Sequence, residues 1–189
     1  MIRELWSCFW AYVSISYPRL IWVLLFASVF WLIFWGVQRK VPAGQQESKG
    51  RAILYRGLLS FSCSFIYVMT LFGRCRDTGE FRLTPFVSYR MAFQDKNIEL
   101  LLQILVNVAM YIPVGMLLPC CFRVFQKARY TLLAVFFCSL CIELSQGLFQ
   151  MGIFETDDIM DNLLGATIGF LLYKIIRFLR ERVKRFNCL

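Results

Sequence analysis

The chain reads as an all-α protein, a polytopic transmembrane helical bundle of about five spans plus an N-terminal interfacial helix. Three observations predict this. Its 189 residues are 59% hydrophobic and 17% charged, with mean hydropathy +0.59, whereas a soluble domain is nearer half apolar. The apolar residues fall into long runs, several of them long enough to cross the ~30 Å hydrocarbon layer. The net charge of +9, with arginine outnumbering lysine, lies largely between those runs. In a soluble protein that excess would suggest nucleic acid. Beside apolar runs it belongs to loops that set orientation and meet lipid phosphates, so membrane lipids are the expected partners and nucleic acid is not.

The elements follow in order. Residues 5–17, LWSCFWAYVSISY, are short and aromatic and read as an interfacial helix or an extension of the first span, broken by Pro18 and Arg19. No small-residue cleavage site follows, so a cleavable signal is not expected. Leu20 to Val37 is an uninterrupted apolar run with Trp22, Trp31 and Trp35 toward its ends, as interface anchors are placed. A polar loop from Arg39 to Arg51 leads to a second span, 52–72, where Arg56 must snorkel from the first turn. Gly73 to Lys96 is the longest polar stretch. The third, fourth and fifth spans are read at 98–118, 130–149 and 159–179. This divides the chain into an N-terminal segment with an extra first span (1–50), a transmembrane domain (51–179) and a basic tail (180–189). No internal repeat or low-complexity segment is evident.

The eight cysteines are Cys8, Cys63, Cys75, Cys120, Cys121, Cys138, Cys141 and Cys188, and the chain has no histidine. Zinc spacing is absent, and no metal site is expected. Cys138 and Cys141 form a C-x-x-C, but inside an apolar helix they read as packing residues, since reactive thiols need an electropositive setting.

Basic residues set the orientation. The last span is followed by Lys174, Arg177, Arg180, Arg182, Lys184 and Arg185 against one acid, Glu181, which predicts a cytoplasmic C-terminus. Counting back places the acidic turn 150–158 outside and the turn with Arg123, Lys127 and Arg129 inside. The Gly73–Lys96 loop then falls outside despite Arg74, Arg76, Arg82, Arg90 and Lys96; either the span count is off by one or this loop is basic for a reason of its own, and the second reading is preferred because all other connections agree.

Polar groups at membrane depth are costly and mark function or partners. In the third span Glu99, Gln103 and Asn107 recur every four residues on one face, followed by Pro113 and Gly115, with Pro119 as terminator. In the fourth, Glu143 and Gln146 share a face, with Gln150 a turn beyond. In the fifth, Asp158, Asn162, Gly165 and Gly169 form a face polar at one end and small at the other, which lets another helix approach closely. Glu155, Asp157, Asp158 and Asp161 crowd the mouth of that span. The carboxylates are therefore expected inside the bundle, with the amides of Asn107 and Asn162 hydrogen-bonded to them. Interhelical glue is the plain alternative for any one residue, but glue does not require so many acids at one end.

The blocks RLTPF (Arg82–Phe86), NVAMYIPVGMLLP (Asn107–Pro119), IELSQ (Ile142–Gln146) and FETDDIMDNLLGATIG (Phe154–Gly169) resemble, in order and spacing, the VanZ-like family of small bacterial membrane proteins, named for a teicoplanin-resistance protein. The resemblance covers about residues 53–175. It carries the family's polar positions onto Asn107, Pro113, Gly115, Glu143, Gln146, Asp158, Asn162, Gly165 and Gly169. Glu155 stands where many members have aspartate. Met151 and Gly152 stand where relatives often have a basic residue, so an internal ion pair would fall to Arg82 or Arg90. The resemblance implies a bacterial cell membrane location and a link to lowered susceptibility to glycopeptide antibiotics, without implying a reaction.

Two readings remain, from different classes. The first is a non-catalytic envelope protein whose outward polar pocket, rimmed by Arg82 and Arg90, binds an anionic lipid, a lipid-linked cell-wall precursor or teicoplanin itself, without a cofactor. The second is an intramembrane enzyme in which Glu143, Glu155, Asp157 and Asp158 hold magnesium or act as acid and base. It lacks an activated nucleophile and a diphosphate-binding signature. A transporter is a third possibility, but the chain is small for one that does not oligomerise.

Overall fold

The structure, a computed structural model, describes residues 20–38, 49–71 and 79–186. The expected interfacial helix at 5–17 lies outside them, as do Arg74, Arg76, Cys8, Cys75 and Cys188. The elements are α1 (Leu20–Gln38), α2 (Lys49–Thr70), β1 (Phe81–Arg82), α3 (Val87–Gln94), α4 (Ile98–Cys121), a 3₁₀ turn (Arg123–Gln126), α5 (Ala128–Leu148), β2 (Phe154–Glu155) and α6 (Thr156–Phe186). Among the described residues four helices, α2, α4, α5 and α6, are long and apolar enough to cross a membrane. α1 adds an N-terminal helix of 19 residues without a charged side chain. The five apolar runs thus become five long helices in an all-α fold.

Helices α4 and α6 form the centre, with α2 packed on α4, α5 on α6, and α1 on α2. The core joins Leu59, Ile66 and Met69 of α2 to Met110, Tyr111, Val114 and Leu117 of α4, with Val135 of α5 and Ala166 of α6. On the α1–α2 side, Phe26 meets Tyr67 edge-on at 4.9 Å. Because α5 carries the chain back across the bundle, α4 and α6 run parallel. Their contact is backbone on backbone. A Cβ at Gly115 would lie 2.1 Å from the Ala166 carbonyl oxygen, one at Gly165 2.1 Å from that of Val108, and one at Gly169 2.0 Å from that of Ile112. Small residues replace a hydrophobic driving force as the means of helix association in lipid.

Hydroxyls within the helices are largely satisfied locally. Ser62, Ser64, Thr70, Ser145 and Thr167 each donate to the carbonyl four residues back, the usual solution where water cannot supply a partner.

Several boundaries differ from the sequence expectation. α4 runs unbroken through Pro113 and Pro119 to Cys121, so Pro119 does not terminate it. α6 starts three residues earlier than expected, at Thr156, and continues through the basic tail to Phe186. There Arg177 bonds Glu181, Gln126 and Tyr173, and Arg180 bonds the Tyr55 hydroxyl of α2. Cys138 and Cys141 lie on the outer surface of α5 instead of packing inward. The long polar stretch holds β1 and α3, which periodicity could not reveal in pieces of two and eight residues.

Gly165→Ala should force the α4–α6 backbones apart and destabilise the bundle by about 1–3 kcal/mol, the usual cost of overpacking. Gly50→Ala, inside α2 where a Cβ meets nothing within 4 Å, should not destabilise the bundle. Thermal melting in detergent checks both, and an unshifted midpoint for Gly165→Ala would count against the close crossing.

Candidate functional site

The loops at one end of the bundle are joined by a short parallel bridge. Phe81 pairs with Phe154 and Arg82 with Glu155, and the two phenylalanine rings stack at 5.4 Å. Phe81 rests on Gly147 of α5, where an added Cβ would lie 2.7 Å from the ring. The bridge establishes that the 79–97 and 149–155 segments share one end, as counting through the spans required. It also brings an arginine of the basic loop onto the acidic turn.

The acids of that turn clamp the loop. Arg82 Nη1 donates to Glu155 Oε1 at 2.8 Å, and the Ser88 hydroxyl donates to Glu155 Oε2 at 2.9 Å. The Glu155 backbone N–H donates in turn to Glu143 Oε2 of α5 at 3.1 Å. Asp157 accepts the backbone N–H groups of Phe86 (2.6 Å) and Ser88 (2.9 Å). These are orphan donors at the start of α3, where an anion also meets the positive end of the helix dipole. Phe86 sits in the left-handed region, φ 64°, a costly conformation for a non-glycine residue. Asp157 holds the N–H at that point. The Tyr89 hydroxyl donates to Asp161, and the Thr156 hydroxyl reaches the carbonyls of Arg82 and Leu83 at 3.3 and 3.2 Å.

Glu143, Glu155, Asp157 and Asp161 are all buried, Asp161 completely. Four carboxylates and one arginine would be an unfavourable group if left bare. Each acid instead accepts at least one protein hydrogen bond. Burial first, and the bond to Asp161 second, raise the Tyr89 phenol above its ordinary range.

One layer deeper, the polar groups are less complete. Asn162 Nδ2 donates to the Ser139 hydroxyl of α5 at 2.7 Å, and Gln146 Nε2 donates to the Thr70 carbonyl of α2 at 3.0 Å. Asn162 Oδ1, Asp161 Oδ2, Asn107 Nδ2 and the Tyr111 hydroxyl are buried without a hydrogen-bond partner. Gly165, one turn below Asp161, touches the Val108 carbonyl and the Tyr111 Cβ. Asp161 and Asn162 lie within about one turn of that contact on α6, and Asn107 and Tyr111 within about one turn of it on α4.

The sequence-derived candidates therefore divide. Arg82, Glu143, Glu155 and Asp157 meet in the clamp. Asn107 and Asn162 lie beneath it, although neither amide bonds a carboxylate as expected: Asn162 takes Ser139, and Asn107 Nδ2 is left open. Asp158 is half-buried, whereas Asp157 and Asp161 are buried. Arg90 is exposed and has no carboxylate partner among the described residues. Glu99 and Gln103 are exposed on α4, so among the described residues the inward face begins only at Asn107. Gln150 lies beyond the end of α5 with φ 54°. Pro113, Gly115, Gly165 and Gly169 serve the α4–α6 contact. Ser88, Tyr89, Thr156 and Ser139 escaped sequence reasoning, and Asp161 was not singled out. Only Asp161 had a signal, its spacing of four from both Asp157 and Gly165. Among the described residues no three Cys, Asp or Glu side chains are grouped as a metal ion would require.

A membrane-embedded helical bundle, closed at one end by an acid-held loop, defines the class: a small multi-pass integral membrane protein. The chain belongs to the VanZ/LLP1 family, whose sequence profile matches residues 20–177 and so takes in α1 as well as the clamp and the glycine crossing. No curated protein and no solved structure matches it.

Asp157→Ala should release two backbone donors and loosen α3, a loss comparable to removing a helix cap, about 1–2 kcal/mol. Amide hydrogen exchange over residues 86–94 should rise while the long helices stay protected; unchanged protection would refute the clamp. The raised Tyr89 phenol stabilises the fold fully below the ordinary tyrosine value of about 10, and that contribution is lost as pH climbs beyond it. Ultraviolet titration of Tyr89→Phe should therefore lack one late-ionising phenol present in the unaltered chain.

Proposed function

We propose that this protein is a non-catalytic component of the bacterial cell envelope that binds the polar head of a membrane amphiphile at its clamped end. The observation that carries the reading is the set of buried groups without partners beneath the clamp: Asp161 Oδ2, Asn162 Oδ1, Asn107 Nδ2 and the Tyr111 hydroxyl. Unsatisfied polar atoms at membrane depth are expensive, and a bound head group would satisfy them. Two of the four are pure acceptors, so they suit a head rich in hydroxyl or amide donors. An acidic interior repels an anion. The anionic part of such a ligand would remain at the rim, where Arg82 is partly exposed and Arg90 fully so.

A lipid-linked cell-wall precursor and an acylated glycopeptide both combine donor-rich heads with a membrane anchor. The family's link to teicoplanin susceptibility favours these two over an ordinary phospholipid. The concentration of Arg123, Lys127, Arg129, Lys174 and Arg182 at the opposite end supports a cytoplasmic C-terminus and an outward-facing clamp. The enzyme alternative gains nothing from a geometry in which Glu143, Glu155 and Asp157 already hold protein donors.

In a susceptible host, expression of the chain should reduce teicoplanin susceptibility. Asp161→Asn and Asn162→Ala should abolish that effect at normal membrane levels. Full protection by either variant would overturn the reading, and an altered envelope lipid profile that depends on magnesium would favour the enzyme instead.

A further inference from the structure

At the end remote from the clamp, α5 and α6 are pinned at two levels and separate between them. The upper pin is the Asn162–Ser139 bond at 2.7 Å. The lower one is Arg177 of α6, which donates to Gln126 in the turn before α5 at 3.2 Å. Between the pins lies an open groove of about 490 Å³ lined by Arg129, Leu132, Leu133, Phe136, Leu163 and Thr167. The lining follows from helical spacing: positions 129, 132, 133 and 136 make one row on α5, and 163 and 167 make one row on α6. Thr167 spends its hydroxyl on the Leu163 carbonyl, so the groove wall offers no polar group until Arg129.

Arg129 stands at the mouth, in the first turn of α5. It lies over the Tyr130 ring at 4.7 Å and donates to the Tyr130 hydroxyl at 3.1 Å, but it has no carboxylate partner among the described residues. Lys127 and Arg123 lie just outside it. The α5 N-terminus has no side-chain cap and adds its own positive potential.

We propose that this groove is a site for an anionic glycerophospholipid, with one acyl chain between α5 and α6 and the phosphate on Arg129. The apolar wall from Arg129 to Phe136 rises roughly 10 Å, which lies within one leaflet of a ~30 Å hydrocarbon layer. A guanidinium without an internal anion binds phosphate as a planar, two-pronged donor. Neighbouring basic residues favour a net negative head group over a zwitterionic one. The site is separate from the clamp and does not depend on what the clamp binds.

The test titrates purified protein in detergent with dioleoylphosphatidylglycerol and, separately, dioleoylphosphatidylcholine, counting bound lipid by native mass spectrometry. The anionic lipid should bind about fivefold better, the contribution of one basic residue near a membrane surface. Arg129→Gln should bring the two lipids to parity, Arg129→Lys should keep most of the preference, and Leu133→Trp should weaken both by filling the groove. Equal binding by the unaltered chain, or a preference that survives Arg129→Gln, would overturn the assignment. So would disulfide-linked dimers of Leu133→Cys, because they would show a second copy in the groove. If Arg129→Gln lowers the lipid-free melting temperature, Leu133→Trp decides alone, and undiminished binding there would likewise overturn it.

Discussion

Backbone contact between α4 and α6 is the constraint on which the remaining structure depends. Gly115, Gly165 and Gly169 remove the side chains that would hold the helices at ordinary separation, and carbonyl oxygens of the partner helix occupy the space. Two parallel helices this close must match residue for residue. Once Gly165 lies on Val108, the layers above it are determined: Asp161 and Asn162 follow about one turn nearer the clamp, and Asp157 reaches the loop that carries Phe86 and Ser88. Shifting either helix by one residue would turn the acids toward lipid, where a charged group has no acceptable partner.

The acidic turn behaves as a set of receptors for the protein's own donors. Arginine, serine, tyrosine and three backbone N–H groups converge on four carboxylates, and each comes from the 81–89 segment or from the turn itself. Of the basic residues in that loop, Arg82 has a local reason for its charge, the pair with Glu155. The lone pairs of the acids are directed at donors on different elements. The two ends of the bundle thereby acquire opposite chemistry. One is acidic, buried and largely self-satisfied; the other is basic and opens onto an apolar groove.

Much of this was legible from residue order. Long apolar runs predict long helices because the bilayer requires every backbone group to bond within its own segment. The placement of Gly165 and Gly169 one helical turn apart predicts a close helix contact. Asn107, Glu143, Gln146, Asp157 and Asn162 were recognisable as inward groups because polar side chains do not face lipid. Glu99 and Gln103 had the same spacing and misled, since periodicity shows which residues share a face without showing how far along the helix a neighbour extends. α3 and the β1–β2 bridge were invisible: two and eight residues are too short for a period, and tertiary bonds from Asp157 and Glu155 hold them, not propensity.

By itself, then, the sequence determined the membrane class, the number of long helices, their inward faces and the common end of the two polar loops, because each follows from burial and chain connectivity. Partner choice was decided only in three dimensions. That Glu155 takes Arg82 and not Arg90, that Asn162 takes Ser139 and not a carboxylate, and that Asp161 instead of Asp158 lies at the centre all depend on the rotation and level of α6 against its neighbours. A hydrogen bond needs atoms within about 3 Å, a precision that helical spacing alone cannot supply and the glycine contact does.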